Sequence, residues 1–158
     1  MDNQPLKVGS PAPDFALMDE NKKVVKLSDL RGQTVVLLFY PMDFSPTCTT
    51  EHCTFGPELP KLQGAGKDVV IFGVSTDHPF SHAAFKKQYN IPYSLLADPT
   101  RKMAKAYGMW AGEEPYNCTK RGTVIIDRNG KIAFYAEVPM REARKVEDLK
   151  RQVAQASA

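Results

Sequence analysis

The chain of 158 residues carries a net charge of +3, with 42% hydrophobic and 25% charged residues. This length fits a single domain over residues 1–158 whose core needs no disulfide support, and the composition excludes a disordered or collagen-like chain. The longest apolar run, residues 35–40, is far shorter than the roughly 20 residues of a membrane-spanning helix. The N-terminus lacks a secretory signal, so we expect a cytoplasmic domain that does not enter a membrane.

Basic residues are dispersed along the sequence, except for a group at residues 141–151 in which acidic residues alternate with them. Such alternation is typical of a solvated helix face rather than of a stripe that binds nucleic acid. We therefore expect no nucleic-acid partner.

The first predicted elements are a hairpin and a buried strand. Residues 15–17 and 24–27 alternate around a polar turn, which predicts two paired strands, and one helical turn is expected at residues 28–30. Residues 34–40 are apolar on both faces, as in a strand in the middle of a sheet, and Pro41 follows this strand.

A βαβ unit is predicted next. A helix is expected from near Thr47 with an interruption around Gly56-Pro57, and residues 68–74 repeat the pattern of a buried strand. The two buried strands are therefore expected to pair in parallel. A second helix is predicted over residues 79–89, and its apolar face would consist of Phe80, Ala83, Ala84 and Phe85.

The last third of the chain predicts a short strand, a short helix, a hairpin and a final helix. These elements are predicted at residues 93–97, 100–107, 123–127, 131–137 and 141–155. Asn129-Gly130 is a typical hairpin turn, and the final helix would bury one apolar face. The order of elements predicts an α/β fold in which helices flank a mixed sheet.

The residues that carry chemistry lie between the first buried strand and the helix that follows it. Cys48 falls in the first helical turn, where unpaired backbone N–H groups and the helix dipole favour an anion, so we expect a thiolate nucleophile. Ser45 can place a hydroxyl in the same pocket, and Pro41 can shield the sulfur from water. A guanidinium would complete the site, because it is permanently charged and can stabilise the negative charge that develops as the sulfur attacks its substrate.

This segment resembles the signature of the peroxiredoxins, in which Pro, three residues, Thr or Ser, and two residues precede the peroxidatic Cys. The matching positions are Pro41, Ser45 and Cys48. The whole run over residues 39–53 is similar to the bacterioferritin-comigratory and peroxiredoxin Q subgroup. Further segments that match the family lie at residues 9–15, 73–77 and 121–127.

The resemblance implies a thioredoxin-like fold with an N-terminal β-hairpin extension, and a thiol peroxidase. It implies that Cys48 attacks hydrogen peroxide or an organic hydroperoxide, that Cys53 resolves the sulfenic acid as an intramolecular disulfide, and that Arg121 supports the thiolate. A thioredoxin-like dithiol would then reduce the disulfide, and no metal, haem or flavin is required. Relatives in this subgroup suggest a monomer, with a weak dimer as the alternative.

Three further residues have two interpretations each. Glu51 is either a favourable acid in the first helical turn or a partner that orients Arg121. Cys118 is expected to be an ordinary loop or buried thiol, with a disulfide to the peroxidatic cysteine as the alternative. His52 stands where the subgroup usually has a small residue, and it is expected to be exposed, with an electrostatic effect on the resolving cysteine as the alternative.

The spacing of the two cysteines predicts a conformational change. If Cys48 and Cys53 occupy one continuous helix, their Cα atoms lie about 8.6 Å apart on different faces. A disulfide requires Cα atoms within about 7 Å of each other. We therefore predict that the helix unwinds from Thr49 onward when the disulfide forms, and that Gly56-Pro57 stops the unwinding.

Three other functions compete with the peroxidase. A thiol-disulfide oxidoreductase would suit the expected fold, but it normally requires a Cys-x-x-Cys motif, which the sequence lacks. A redox sensor would form the same disulfide and persist in the oxidised state instead of cycling. A zinc site could be formed by Cys48, His52, Cys53 and His78, but the two cysteines lack the usual Cys-x-x-Cys spacing of zinc ligands.

Overall fold

The computed structural model describes residues 3–65 and 68–157. Within these residues the chain forms seven strands, four α-helices and one 3₁₀ turn at Leu27–Leu30. The strands are β1 (Ala16–Met18), β2 (Val24–Lys26), β3 (Thr34–Phe39), β4 (Val69–Ser75), β5 (Ser94–Ala97), β6 (Arg121–Ile126) and β7 (Ile132–Val138). The helices are α1 (Pro46–Gly64), α2 (Pro79–Tyr89), α3 (Lys102–Ala106) and α4 (Val146–Ser157).

The strands form one mixed sheet in the order β2-β1-β5-β4-β3-β6-β7. β3 pairs in parallel with β4 and β4 with β5, whereas the other neighbours are antiparallel. All six residues of β3 are buried, which explains why its sequence is apolar on both faces. The predicted mixed sheet, the parallel pair and the N-terminal hairpin are confirmed.

Two apolar clusters cover the two faces of the sheet, because alternate residues of β3 point to opposite sides. Leu37 packs with Met103 and Tyr107 around α3, and Leu38 packs with Phe55 and Phe85 from α1 and α2. α4 adds Leu149 and Val153 to the second cluster. The helices thereby fix the end of β3, where the candidate thiol lies. No helix of the described residues is long and apolar enough to cross a membrane.

α1 runs without a break from Pro46 to Gly64, so the predicted interruption at Gly56-Pro57 is wrong. Pro57 and Pro60 lie inside the helix on its exposed side. A proline removes the hydrogen bond to the carbonyl four residues earlier, and Pro57 removes the bond to the Cys53 carbonyl. Cys53 is exposed, so water can replace that bond, while the buried side chain of Phe55 anchors the helix to the sheet.

α4 begins at Val146 rather than at the predicted residue 141. The backbone N–H of Arg144 donates to the Glu51 carboxylate over 2.6 Å, and this contact holds the segment before α4 as a loop. Arg144 is buried, so the expected solvated helix face is wrong at this position.

α2 has the predicted bounds but buries a different face. The prediction that this helix buries Phe80, Ala83 and Ala84 is wrong, because all three are exposed. His82 and Phe85 are fully buried instead. His82 Nδ1 lies 2.8 Å from Asp43 Oδ2, and His82 Nε2 lies 3.1 Å from the carbonyl of Leu96, so polar partners inside the fold compensate the burial of the imidazole.

Candidate active site

The loop between β3 and α1 brings the thiol to a helix N-terminus. Pro46 is the first residue of α1, where its fixed φ suits the helix, and Cys48 is the third. Phe44 adopts a left-handed backbone conformation with φ 67°, which turns the loop sharply into the helix. Cys48 is fully buried, so its sulfur meets the positive end of α1 in a place that water does not screen.

Arg121, the first residue of β6, contacts the thiol directly. Its Nη2 donates to Cys48 Sγ over 3.0 Å, its Nη1 to Glu51 Oε1 over 2.5 Å, and its Nε to the Met140 carbonyl over 3.0 Å. All three nitrogens have partners and the side chain is buried, so the guanidinium is held in one orientation. The guanidinium therefore places a permanent positive charge directly against the sulfur.

Glu51 joins Arg121 to a second guanidinium. Arg144 donates to Glu51 Oε1 through Nη2 over 2.8 Å and to Oε2 through Nε over 2.9 Å. Burial alone would raise the pKa of Glu51, but the charges and hydrogen bonds of Arg144, together with Arg121, lower that pKa below its ordinary value. The structure thereby decides between the two interpretations of Glu51, which orients Arg121 as an ionised partner.

Arg144 is a site residue that the sequence does not reveal. Its guanidinium also donates to the carbonyls of Gly122 over 2.6 Å and of Phe39 over 2.9 Å, and so ties β6 and β3 to α1. It lies 93 positions from Glu51 in the chain. No motif connects two residues at such a separation, and the surrounding charged run hides Arg144 among solvated neighbours.

The other predicted site residues meet at one cavity. A cavity of about 620 Å³ is bordered by Pro41, Ser45 and Arg121. The Ser45 hydroxyl donates to the Met42 carbonyl over 3.0 Å instead of capping α1. The remaining wall is mainly apolar and includes Met42, Phe44, Tyr116 and Met140. The arrangement can hold a small oxidant between apolar side chains and the guanidinium that touches the thiol.

Cys53 is not at this cavity. It is exposed on α1, whereas Cys48 and Cys118 are buried, and all three are free thiols. Burial raises the pKa of Cys118 to about 11, and the nearby Cys48 contributes to the increase. Cys118 is therefore a buried, protonated thiol at neutral pH, which fits its expected ordinary character.

His52 is fully buried, so its predicted exposure is wrong. A helix turns by about 100° per residue, and α1 directs His52 toward the sheet while Cys53 points to water. Its Nδ1 forms a hydrogen bond with the hydroxyl of Tyr93. Burial lowers the pKa of His52 to about 3, so the ring is neutral.

Among the described residues, the side chains that approach closely enough to share a cation are Asp43, Asp77 and His82. Their polar atoms bond to one another and to the protein instead. Asp77 Oδ2 accepts from the Asp43 backbone over 2.9 Å and from Ser75 over 2.5 Å. The group therefore anchors the loop before α1 to α2. This group shares no residue with the zinc ligands considered from the sequence, which are Cys48, His52, Cys53 and His78.

A thiol held at a helix N-terminus by an oriented guanidinium, on a mixed sheet flanked by helices, is the arrangement that a thiol-based peroxidase requires. A family model described as "AhpC/TSA family" matches residues 8–135, and the chain belongs to this family. The predicted resemblance to the peroxiredoxins is confirmed.

The chain is similar in sequence to the Bcp and Q peroxiredoxins. It is 38% identical to "Peroxiredoxin Bcp" of Bacillus subtilis over 96% of this chain and 92% of that protein. It is 39% identical to "Peroxiredoxin Q, chloroplastic" of Oryza sativa subsp. japonica over 80% of this chain, which spans 57% of the rice protein.

The fold matches solved peroxiredoxin structures. "Peroxidoxin BcpB" of Mycobacterium tuberculosis superposes with a TM-score of 0.80 at 27% identity, covering 94% of this chain and 96% of that chain. The architecture is therefore the thioredoxin-like fold with an N-terminal hairpin, and the protein is a thiol-dependent peroxidase.

Proposed function

We propose that this peroxidase reduces hydroperoxides with Cys48 as the peroxidatic thiolate and Cys53 as the resolving cysteine. The observation that carries the proposal is the 3.0 Å contact between Arg121 Nη2 and Cys48 Sγ, with the guanidinium fixed by Glu51 and Met140. Pro41 and Ser45 complete the wall of the cavity beside this contact.

In the first step, the Cys48 thiolate attacks the nearer oxygen of the hydroperoxide. The S–O bond forms as the O–O bond breaks, and the departing oxygen takes a proton and leaves as water or an alcohol. Sulfur loses two electrons and becomes sulfenic acid, and the peroxide gains them. Arg121 stabilises the charge on the departing oxygen, because its position is fixed before the reaction begins.

In the second step, the Cys53 thiolate attacks the Cys48 sulfenic sulfur and releases water. Cys48 is buried and Cys53 is exposed on the same continuous helix. The two sulfurs therefore meet only if α1 unwinds from Thr49 onward. Pro57 favours this change, because the Cys53 carbonyl has no helical donor to lose.

The cycle closes when an external dithiol of the thioredoxin type reduces the disulfide by exchange. Reduction by a dithiol requires a reducing compartment, and we place the reaction in the cytoplasm. The chain is proposed to act as a single domain and as a monomer, without a metal, haem or flavin. Neither nucleic acid nor membrane takes part in this cycle.

Peroxide consumption with thioredoxin, thioredoxin reductase and NADPH tests the proposal. The wild type should turn over continuously, Cys48→Ser should be inactive, and Cys53→Ser should form a sulfenic acid but lose thioredoxin-dependent turnover. Cys118→Ser is the matched control, since this buried thiol has no role in the cycle, and it should retain turnover. Full turnover by Cys53→Ser would contradict the proposal, and a wild type that forms the disulfide but does not cycle would favour the redox sensor.

A further inference from the structure

His52 occupies an unusual place for a histidine next to a reactive cysteine. Its ring is surrounded by aromatic rings, with centroids 4.4 Å from Tyr40, 5.5 Å from Phe85 and 5.7 Å from Tyr93. Gly73 in β4 borders this enclosure, and a Cβ there would come within 2.7 Å of Leu95 and 3.2 Å of Tyr40. The fold thus encloses an ionisable side chain one residue before the exposed Cys53.

The buried ring is only partly satisfied. His52 Nδ1 bonds to the Tyr93 hydroxyl, but Nε2 is buried and has no hydrogen-bond partner among the described residues. Either tautomer leaves one polar atom unpaired, as a donor or as an acceptor. An unpaired buried polar atom destabilises the conformation that buries it, and here that conformation is the folded helix α1.

We propose that His52 is a positioning residue that shifts α1 toward its unwound form as the pH falls, and so promotes the Cys48–Cys53 disulfide. The inference rests on the proposed function, because it concerns the step in which Cys53 reaches Cys48. His52 lies in the segment that must unwind, so the ring leaves its aromatic enclosure and meets water when the disulfide forms.

The sign follows from the two states of the ring. The pKa of His52 is lowered to about 3 in the helix, chiefly by burial, whereas an imidazole in water has a pKa near 6.5. The ratio of helical to unwound protein is highest above about pH 6.5. Below that pH it falls about tenfold for each pH unit, until the pKa of the ring in the helix is reached. Between pH 7.5 and 5.5 the unwound population rises about tenfold relative to the helix.

Other groups that face His52 do not produce this change. The pKa of Glu51 is lowered from its ordinary value of 4.5, so this group titrates below pH 5.5. Burial raises the pKa values of Tyr40 and Tyr93 well above 10, so both titrate above pH 7.5. The remaining ionisable neighbours are unchanged in the variants that test the proposal. They are Asp43 on the loop before α1, Arg121 on β6 and Arg144 on the loop before α4. Cys53 and His82 act on Tyr93 and Tyr40, the rings beside His52, and they are also unchanged.

The test measures the disulfide step alone. Reduced protein is mixed with saturating hydrogen peroxide, quenched with an alkylating agent at successive times, and analysed by mass spectrometry between pH 5.5 and 7.5. His52→Asn and His52→Ala remove the titration, and both retain the Cys53 thiol, so the ionisation of that thiol cancels in a ratio of rates. The ratio of wild-type to variant rate should rise about tenfold from pH 7.5 to pH 5.5.

The exposed His78 supplies the matched control, and the ratio for His78→Ala should stay constant over this interval. A constant ratio for both His52 variants would overturn the inference while the disulfide still forms. Absence of the Cys48–Cys53 disulfide from the wild type at every pH would instead refute the proposed function.

A titration of the wild type by NMR tests the same inference without a substitution at His52. In the reduced protein the His52 imidazole should remain neutral down to pH 4, and in the disulfide form it should titrate near 6.5. His78→Ala helps to assign the three imidazole signals. A His52 ring that stays neutral to pH 4 in the disulfide form would contradict the proposal, because α1 would then have kept the ring buried.

Discussion

Glu51 places one carboxylate between the buried guanidinium groups of Arg121 and Arg144, at 2.5 Å and 2.8 Å. Without that negative charge, two cations would face each other in a place that excludes water. The carboxylate therefore keeps Arg121 directed at Cys48, and removing it should affect stability and catalysis together.

Glu51→Gln is expected to lower the free energy of unfolding by about 3–5 kcal/mol at pH 7, since it leaves buried cations without their counter-charge. The pKa of Glu51 is lowered in the folded state, so its stabilising effect is present above the ordinary value of 4.5 and is lost as the pH falls through the folded pKa. Urea unfolding of wild type and variant should show a large difference at pH 7 that shrinks on acidification below pH 4.5.

Glu147→Gln on the exposed side of α4 is the matched control, and its free energy of unfolding should stay within about 1 kcal/mol of the wild-type value. If Glu51→Gln unfolds at the same urea concentration as this control at pH 7, the carboxylate does not hold the two arginines in the way the structure indicates.

At the level of single residues, the motif joins positions that lie close together along the chain. Pro41, Ser45 and Cys48 are close in sequence, and a motif predicts that they share a pocket. The predicted exposure of His52 and the predicted solvated face at Arg144 are wrong, because burial depends on contacts with residues that are distant in the sequence. The rings of Tyr40, Phe85 and Tyr93 enclose His52, and nothing near His52 in the sequence predicts these contacts.

At the scale of elements, α1 carries a local weakness beside the resolving cysteine. Pro57 removes the hydrogen bond to the Cys53 carbonyl, and Pro60 removes the equivalent bond to the Gly56 carbonyl. Both prolines are exposed, so their replacement by alanine disturbs no buried contact. The two positions differ mainly in whether the missing bond involves Cys53.

Pro57→Ala should slow formation of the Cys48–Cys53 disulfide by roughly ten- to a hundredfold, because a proline inside a helix costs up to about 3 kcal/mol. The rate of Cys48 oxidation should be unchanged, since the first turn of α1 is intact. Quenched-flow alkylation separates the two rates. Pro60→Ala should have the smaller effect on disulfide formation, and equal slowing by both variants would contradict a weakness located at Cys53.

The boundaries of elements were predictable only where local signals decide them. α2 begins at a proline and ends at Asn90 in a left-handed conformation, and its predicted bounds are confirmed. α1 continues through Pro57 because buried side chains hold it to the sheet, and α4 begins late because Arg144 bonds to Glu51. Both differences arise from tertiary contacts that override local propensity.

At the scale of the whole molecule, the sheet brings distant parts of the chain to one thiol. β6 lies beside β3, so Arg121 reaches Cys48 across 73 positions of sequence. The hairpins and the parallel β3–β4 pair follow from sequence pattern, but the antiparallel placement of β6 against β3 does not. The motif at residues 121–127 located the arginine through family resemblance, and only the fold supplies its 3.0 Å contact.

The pair of cysteines that joins after oxidation decides whether α1 unwinds and whether Cys53 is the resolving residue. The most direct measurement treats the reduced protein with one equivalent of hydrogen peroxide, blocks the remaining thiols and maps disulfides in the proteolytic peptides by mass spectrometry. We predict a Cys48–Cys53 bridge with Cys118 recovered as a blocked thiol. A Cys48–Cys118 bridge, with Cys53 still free, would contradict the unwinding of α1 and the assignment of Cys53 as the resolving residue.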